Sequence, residues 1–266
     1  MKIVRFRHSE QSRYGILEED LVREIEGDLF GTWRSTDRLH SLSSLTLQSP
    51  VPPTSLLCIG KNYQAHAEEF KSEVPSAPIL FIKALSSVNA PGAPVLLPAT
   101  NLTFQIDYEA ELAIVIGRKG KNIPEEEAMN YVLGYTCAND ITARDWQYQD
   151  GQWARGKSLD TFCPLGPWLE TELNPQDLKI EGRLNGTLMQ SARTSELIFN
   201  IPFLIHYLSR GMTLMPGTVL LTGTPAGCGF ARKPQVWLKP GDVFEVDIEG
   251  IGILRNPIRS AANAQM

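Results

Sequence analysis

Two glutamates at the head of an apolar segment restrict the fold of this chain more than any other feature. Glu109 and Glu111 come directly before the apolar run 112–116, which Gly117 ends. A short apolar run that stops at a turn residue predicts a strand buried on both faces. Side chains two residues apart on a strand point to the same side, so we expect the two carboxylates to converge inside the protein.

Two neighbouring buried carboxylates repel each other, so they need a shared proton or a cation between them. The alternative is an exposed strand on which both glutamates are solvated, because Glu is mostly a surface residue. A third acid, Asp140, follows a second apolar segment at 131–138 and precedes a helix that we predict to start near Thr142. Carboxylates without a neighbouring His or Cys form the donor set that suits Mg²⁺, Mn²⁺ or Ca²⁺ rather than zinc or copper.

Composition places the chain among ordinary globular proteins. It has 266 residues, of which 42% are hydrophobic and 21% charged, and its net charge is -5. The acidic balance and the lack of a Lys/Arg block argue against nucleic acid or an anionic membrane as a partner. No segment approaches the roughly 18 apolar residues of a membrane span, and residues 1–8 do not resemble a signal peptide. We therefore expect a cytoplasmic protein that acts on a small molecule.

Four widely spaced cysteines show none of the pairing that is typical of a metal site. Free cysteines are among the residues most often buried in proteins. We expect reduced thiols packed in the interior at Cys58, Cys137, Cys163 and Cys228.

A proline-rich connector divides the chain into two parts. Residues 2–48 contain short alternating segments, and residues 49–54 read Ser-Pro-Val-Pro-Pro-Thr. Proline fixes φ and constrains the residue before it, so this segment is predicted to be extended. We predict a small β-rich N-terminal domain with its connector at 1–54 and a catalytic domain at 55–266. Short apolar runs between turn residues fill the second part, which predicts a mainly β fold with α+β elements.

Few helices compete with this strand pattern. One is predicted over 201–210, with Asn200 as its N-cap, Pro202 in its first turn and Gly211 as its stop. Another is predicted to begin at Pro124, because the three glutamates that follow favour the positive end of a helix.

A second group of polar residues follows the apolar run at 56–59. Asn62 is positioned to cap a short helix that would place His66 and Glu69 three residues apart on one face. A carboxylate in that position orients an imidazole and raises its basicity, as a general base requires. The alternative is a solvated surface pair of little energetic value.

Five motifs occur in order along the chain: Gly60-Lys-Asn-Tyr-x-x-His66-x-x-Glu69, Tyr108-Glu-x-Glu-Leu112, Asp140-x-Thr-Ala-Arg-Asp145, Gly156-Lys-Ser158 and Leu221-Thr-Gly-Thr-Pro-x-Gly227. Together they resemble the fumarylacetoacetate hydrolase family over roughly residues 55–258. The chain resembles the bacterial-type members and their mitochondrial relatives that carry a short N-terminal domain, and it is similar to acylpyruvate hydrolases and oxaloacetate decarboxylases. Lys61 stands where the family commonly has arginine, which preserves the charge.

The resemblance implies a mixed β-sandwich roll after the β-rich N-terminal domain, and usually a homodimer. It implies a Mg²⁺ or Mn²⁺ ion, a His-Glu dyad on a mobile lid, and a lysine that reaches the substrate. In this chain the implied metal ligands are Glu109, Glu111 and Asp140, and the implied catalytic residues are His66, Glu69 and Lys157.

An ion of this kind would chelate a 2-oxo acid and stabilise an enolate, together with Lys157. We first expect hydrolysis of 2,4-dioxo acids of the acylpyruvate or fumarylpyruvate type, because the dyad that activates water is complete. Decarboxylation or keto-enol tautomerisation of oxaloacetate passes through the same enolate and is the alternative, followed by isomerisation of the 2-hydroxyhepta-2,4-diene-1,7-dioate type. A glycosidase is disfavoured, since its two acids lie about 5–10 Å apart.

Three further residues are candidates for contacts with the substrate. Gln147 would orient the substrate or a water, and Arg144 would either pair with Asp140 one turn away or clamp a substrate carboxylate. Thr224 offers a hydroxyl and an N–H in a turn. The alternatives are a solvated glutamine and a plain tight turn. The polar segment 150–157 is predicted to be a loop, in which Trp153 or Arg155 would select substrates.

Overall fold

A computed structural model describes residues 1–99 and 102–261, and strands dominate these residues. The N-terminal strands are β1 (Lys2–His8), β2 (Gln11–Glu18), β3 (Leu21–Gly27), β4 (Trp33–Ser41) and β5 (Thr46–Leu47). The middle of the chain contains β6 (Ser55–Gly60), α1 (Gln64–Glu69), β7 (Ile79–Ile82), β8 (Val88–Asn89), β9 (Val95–Leu97), β10 (Ile106–Asp107), β11 (Ala110–Ile116), β12 (Val132–Asn139), β13 (Thr142–Ala143), α2 (Arg144–Asp150), α3 (Ala154–Lys157) and β14 (Cys163–Glu170). The last part contains β15 (Lys179–Leu184), β16 (Thr187–Arg193), α4 (Ile201–Gly211), β17 (Thr218–Leu221), β18 (Val243–Ile248) and β19 (Gly252–Ser260).

The described strands form two main sheets. The larger follows the order β4-β3-β2-β1-β14-β12-β11-β17-β6-β7, with β5 beside β1 and β8 beside β14. The smaller follows the order β16-β15-β18-β19-β9, and β10 pairs separately with β13. Most pairs are antiparallel, whereas β17 and β6, β14 and β8, and β19 and β9 run parallel. The two sheets pack on each other around a shared apolar core. This mixed β roll confirms the predicted fold class.

Strand β11 occupies the centre of the core, as its sequence predicts. All of its residues are buried. Leu112, Ile114 and Ile116 pack between the two sheets, while Ala113 and Val115 pack into a second cluster on the opposite face of the large sheet. A strand covered on both faces has no water beside it, so polar groups at its head must find partners within the protein.

The N-terminal strands continue the large sheet rather than forming a separate layer. Strand β1 pairs antiparallel with β14, with Lys2 opposite Glu170 and Ile3 opposite Leu169. The domain boundary at residues 54 and 55 therefore stays a prediction. No helix in the described part of the chain is long and apolar enough to cross a membrane.

Two of the predicted helices differ from those observed. Helix α4 begins as predicted, with the Asn200 side chain accepting a hydrogen bond from the Phe203 N–H at 2.9 Å. The segment after Pro124 is a 3₁₀ helix over Glu125–Tyr131, because only Ala128 is buried and no apolar face supports an α-helix. The helix predicted near Thr142 begins at Arg144, because Thr142 and Ala143 form β13, which pairs with β10.

Asn62 does not cap α1, because Tyr63 occupies the N-cap position. The fully buried Asn62 amide instead donates to the carbonyl oxygens of Phe199 (3.0 Å) and Thr222 (2.8 Å). Its own oxygen accepts from the Phe199 N–H at 2.8 Å. This side chain therefore joins the segment before α1 to the residue after β17 and to the segment that precedes α4.

Substitution of Asn62 tests this connection. We expect Asn62→Ala to lower the free energy of unfolding by about 2–4 kcal/mol, because buried backbone groups of Phe199 and Thr222 lose their partners. Denaturant titration measures the change. Gln64→Ala, at an exposed position in the same segment, is the control and should stay within about 0.5 kcal/mol of wild type. Equal stability of the two variants would contradict the assignment.

Candidate active site

Three buried carboxylates converge at the head of β11. The register pairs Ala110 with Asn139, and the Asp140 N–H donates to the Glu109 carbonyl oxygen at 2.9 Å. This brings together carboxylate oxygens of Glu109, Glu111 and Asp140 within 4.8 Å of one another. None of the three residues is more than 3% exposed. The strand periodicity and the end of β12 thus place the acids where the sequence predicts them.

Three cations neutralise two of these carboxylates. Lys157 donates to Glu109 Oε2 at 2.6 Å and to Asp140 Oδ2 at 2.7 Å. The buried Lys83 donates to Asp140 Oδ1 at 2.6 Å, and Arg144 donates to Glu109 Oε1 at 2.6 Å. Every carboxylate oxygen of Glu109 and Asp140 therefore accepts a hydrogen bond from a cation.

Glu111 has a different environment. Its Oε2 accepts from the Gly223 N–H at 2.7 Å, and it forms no ion pair within the described part of the chain. Burial and the negative charges of Asp140 and Glu109 raise the pKa of Glu111 well above its usual range. Burial also opposes ionisation of Glu109, but the positive charges of Lys157 and Arg144 and the hydrogen bond from Lys157 together outweigh it and hold the pKa of Glu109 well below its usual range. Glu111 therefore keeps a proton unless a cation replaces it.

This donor set fits a hard divalent cation. All candidate ligand atoms are carboxylate oxygens, which Mg²⁺ and Mn²⁺ prefer. Glu111 is the carboxyl group that lacks a cationic partner. Because a buried carboxyl without such a partner stays protonated, a cation bound beside Glu111 would allow it to ionise. Glu109, Glu111 and Asp140 could together hold such an ion.

His66 and Glu69 form a hydrogen-bonded pair on α1. His66 Nδ1 lies 2.7 Å from Glu69 Oε1, and Glu69 Oε2 accepts from the Gly227 N–H at 2.8 Å. An ionised Glu69 needs a donor, so Nδ1 carries the imidazole proton and Nε2 keeps its lone pair. Because His66 is only 6% exposed, the pair is not a solvated surface pair.

The turn after β17 supports both parts of the site. Gly227 has a φ of +108°, and a Cβ there would lie 2.1 Å from the Met189 carbonyl oxygen, so only glycine fits. The Thr224 hydroxyl donates to the Ala110 carbonyl oxygen at 2.9 Å and accepts from Gln190 at 2.7 Å. The hydroxyl of Thr224 therefore anchors the turn to β11, although the residue also borders the cavity.

A cavity of about 160 Å³ connects these groups. One wall is polar and carries the three carboxylates together with Lys157 and Arg144, and the other is aromatic. The lining includes every predicted site residue except Glu69, which lies behind His66 and is hydrogen-bonded to it. The further lining residues are Ile59, Gly60, Lys61, Phe70, Ser72, Phe81, Tyr148 and Trp153.

The expected pair of Arg144 with Asp140 is wrong. Strand β13 separates Asp140 from α2, so Arg144 extends to Asp107, where its Nε donates to Oδ2 at 2.9 Å. Its Nη1 donates to the Gln147 side-chain oxygen at 3.0 Å. Gln147 is 8% exposed, so it is not a solvated glutamine either. Arg144 thus fixes the orientation of the Gln147 amide.

Several residues of the site carry no clear signal in the sequence. Lys83 meets a partner 57 positions further along the chain, a distance at which no local spacing rule applies. The segment 150–157 contains the short helix α3 rather than only a loop. Arg155 pairs with Asp150 at 2.6 Å on the surface, whereas Trp153 lines the cavity.

Comparison with known proteins agrees with this architecture. Residues 55–259 match the family model "Fumarylacetoacetate (FAA) hydrolase C-terminal", and residues 1–50 match "Rv2993c-like, N-terminal". The chain is 46% identical over 230 residues to the mitochondrial oxaloacetate tautomerase fahd2 of Xenopus laevis, covering 84% of this chain and 72% of that protein. It is 45% identical over 227 residues to the oxaloacetate tautomerase YisK of Bacillus subtilis, covering 83% and 75%.

A solved structure shows the same fold. The crystal structure of 5-carboxymethyl-2-hydroxymuconate delta-isomerase from Mycobacterium smegmatis has a TM-score of 0.89 and 38% identity, and covers 98% of this chain and 100% of that chain. The chain therefore belongs to the fumarylacetoacetate hydrolase family, with an Rv2993c-like N-terminal region. The family assignment made from the five motifs is confirmed.

Isosteric substitutions separate metal binding from stability at the carboxylate site. We expect Glu111→Gln to weaken Mg²⁺ or Mn²⁺ binding at least about tenfold yet to change stability in EDTA by less than about 1 kcal/mol, because Glu111 is already protonated without an ion. Glu109→Gln should weaken binding and also cost at least about 2 kcal/mol, since it breaks buried ion pairs.

Calorimetric metal titration and denaturation in EDTA measure the two effects. If Glu111→Gln destabilises the metal-free protein as much as Glu109→Gln does, then the assigned difference in protonation is wrong.

Proposed function

We propose that this protein catalyses keto-enol tautomerisation of a small 2-oxo dicarboxylic acid, with oxaloacetate as the leading substrate. The observation that carries the proposal is the shared cavity, in which one oriented imidazole faces a charge-neutralised carboxylate cluster. Two of the relatives bear the name oxaloacetate tautomerase, which supports this choice over hydrolysis.

The carboxylate cluster provides for the negative charge of the reaction. A Mg²⁺ or Mn²⁺ ion held by Glu109, Glu111 and Asp140 would supply Lewis-acid stabilisation of charge on the substrate oxygens. Lys157 lies between two of these acids and borders the cavity, so its ammonium group adds a fixed positive charge beside the reacting oxygens. Preorganised charge of this kind stabilises an enolate without reorganisation during the reaction.

His66 is the proton carrier in this proposal. Its Nε2 takes a proton from C3 of the keto acid, which leaves an enolate and an imidazolium stabilised by Glu69. The imidazolium then returns the proton to the 2-oxo oxygen, and the enol leaves. No bond between carbon atoms breaks, so the step needs neither water nor another reactant. Glu69 acts through His66 and is a positioning residue.

The cavity accommodates a small dianion. Its volume of about 160 Å³ lies below the roughly 300–1,000 Å³ of sites for drug-sized ligands. Lys61, in a left-handed conformation with φ of +55° directly after β6, lines this cavity. The Gln147 side-chain oxygen accepts a hydrogen bond from Arg144, so the amide nitrogen is the atom that would donate to a substrate oxygen. We assign Lys61 and Gln147 to the second carboxylate.

Hydrolysis of 2,4-dioxo acids is the second candidate. The same His66 and Glu69 pair can activate a water molecule for attack on a C4 carbonyl. Both reactions depend on an enolate of a 2-oxo acid, so the carboxylate site supports either one. The decisive difference is whether a carbon–carbon bond breaks.

Turnover measurements separate the two reactions. With Mg²⁺ or Mn²⁺ present, we expect the enol absorbance of oxaloacetate to relax faster than the spontaneous rate, with no acid released from acetylpyruvate or fumarylpyruvate. His66→Ala should lower the catalysed rate by about 10²–10⁴-fold, because proton transfer loses its base. Glu69→Gln should lower kcat about tenfold with little change in KM. Acid release that is faster than tautomerisation would replace the proposal by its alternative.

The role of Lys61 predicts a change in binding rather than in chemistry. We expect Lys61→Met to raise KM for oxaloacetate at least about tenfold and to leave kcat within about threefold, because a charge-assisted contact to one carboxylate contributes about 1.5–3 kcal/mol. Lys61→Arg, which keeps the charge, is the matched control. A fall in kcat at unchanged KM would place Lys61 in the proton transfer instead.

A further inference from the structure

A second cluster of metal-ligating side chains adjoins the carboxylate site but shares no residue with it. Ligand atoms of His66, Glu69 and Cys228 lie within 4.8 Å of one another. His66 Nδ1 is 2.7 Å from Glu69 Oε1 and 3.9 Å from Cys228 Sγ. The set combines nitrogen, oxygen and sulfur, which differs in chemical character from the three carboxylates.

We propose that His66, Glu69 and Cys228 form a site for a borderline-soft divalent cation, of which Zn²⁺ is the best match, and that occupation of this site blocks the base. Thiolate and imidazole ligands select zinc over magnesium, while the all-oxygen cluster favours the hard ion. The two neighbouring sites, which meet at His66 on the wall of the cavity, would therefore sort two kinds of cation.

The distances require only small movements to bind zinc. With Zn–S of about 2.3 Å and Zn–N of about 2.0–2.1 Å in a tetrahedron, the nitrogen and sulfur ligands lie about 3.6 Å apart. His66 Nδ1 and Cys228 Sγ are already 3.9 Å apart. The hydrogen bond between His66 and Glu69, at 2.7 Å, would lengthen by several tenths of an ångström as the ion replaces its proton.

The backbone on both sides holds Cys228 in place. The Gly227 N–H donates to Glu69 at 2.8 Å, and the Gly229 N–H donates to Asp107 at 2.7 Å. The Gln190 amide lies 3.7 Å from Cys228 Sγ, where it can donate a weak hydrogen bond to a thiolate. The cysteine is fully buried, while the side chain of Glu69 is 17% exposed and provides the open side of the site.

The charges of the ligands match a divalent cation once the thiol is ionised. Burial and the negative charges of Asp107 and Glu109 raise the pKa of the Cys228 thiol well above its usual range, which opposes the thiolate, so a bound cation has to stabilise it. Binding of Zn²⁺ displaces the thiol proton to solvent, and the Cys228 thiolate and the Glu69 carboxylate together neutralise the ion. The imidazole remains neutral, with its remaining proton on Nε2.

The position of the imidazole proton controls the proposed tautomerisation, and the inhibition by zinc rests on that proposed function. In the metal-free dyad Nδ1 holds the proton and Nε2 is the base. A cation bound at Nδ1 forces the proton onto Nε2, so the imidazole has no lone pair left for C3 of the substrate. Zinc would therefore inhibit turnover even when the carboxylate site is saturated with Mg²⁺.

Cobalt spectroscopy tests the site without any substrate. Co²⁺, a spectroscopic substitute for zinc, is titrated into Mg²⁺-saturated protein, and we expect a near-ultraviolet thiolate-to-metal band that saturates at one ion per chain and disappears on addition of Zn²⁺. Cys228→Ser should abolish the band. Cys137→Ser, at another buried thiol, is the matched control and should retain it.

Inhibition by zinc is measured in parallel, relative to the activity of each variant without zinc. We expect the half-inhibitory Zn²⁺ concentration of Cys228→Ser to exceed that of wild type and of Cys137→Ser at least tenfold. Should Cys228→Ser not fold, Glu69→Gln should keep the cobalt band but lower the Co²⁺ affinity at least tenfold. The proposal would be overturned if the cobalt band persists in Cys228→Ser or is missing in the wild type. It would also be overturned if zinc inhibits the wild type and Cys228→Ser equally.

The two experiments fail in different ways. Absence of turnover on every 2-oxo acid would contradict the proposed function and leave the cobalt band unaffected. Absence of the band in an active enzyme would refute only the second metal site.

Discussion

The ion pairs that Lys157 forms with Glu109 and Asp140 are the interaction on which the rest of the site depends. They place an ammonium group 2.6 and 2.7 Å from two carboxylates in the centre of a β roll, away from water. Loss of one partner from such a buried arrangement costs about 3–5 kcal/mol. Together with Lys83 and Arg144, Lys157 allows acidic residues to stand at the end of a fully buried strand.

The cations neutralise only two of the three carboxylates, and the third leaves a place for an added cation. Glu111 has a backbone N–H as its partner where the neighbouring acids have cations. A protein that needed only stability could place a neutral side chain here, because a buried carboxyl without a cation gains nothing from its charge. A divalent ion would supply the positive charge that Glu111 lacks, and it would do so only when it is bound. Under the proposed function, Glu111 would serve metal binding alone, whereas Glu109 would serve both metal binding and stability.

One polar network connects the carboxylates with the His66 dyad. Asp107 accepts hydrogen bonds from Arg144 and from the Gly229 N–H, so it holds both the guanidinium beside Glu109 and the turn that carries Gly227. That turn in turn donates to Glu69. The imidazole and the carboxylate cluster are therefore fixed relative to each other by the same few backbone segments, as a reaction that moves a proton beside a charged site requires.

The local patterns in the chain predicted much of this arrangement. The spacing of Glu109 and Glu111, the apolar run behind them and the Asn200 cap of α4 follow from rules that act over a few residues. The helix expected at Pro124 begins there, but it is a 3₁₀ helix rather than an α-helix, because three glutamates favour a helix start and supply no buried face. Asn62 was misassigned because its partners, near residues 199 and 222, are distant in sequence. The cytoplasmic location and the homodimer stay predictions.

The sequence by itself determined the family, the mainly β fold, and the residues that converge on the site, because strand periodicity and ordered motifs are local properties of the chain. Only the tertiary structure decided which charges meet. It paired Arg144 with Asp107 and Glu109 rather than Asp140, brought Lys83 to the cluster, and placed the thiol of Cys228 beside His66. Such contacts join segments far apart in sequence, and their partners are set by sheet register and turn geometry, which no short-range pattern encodes.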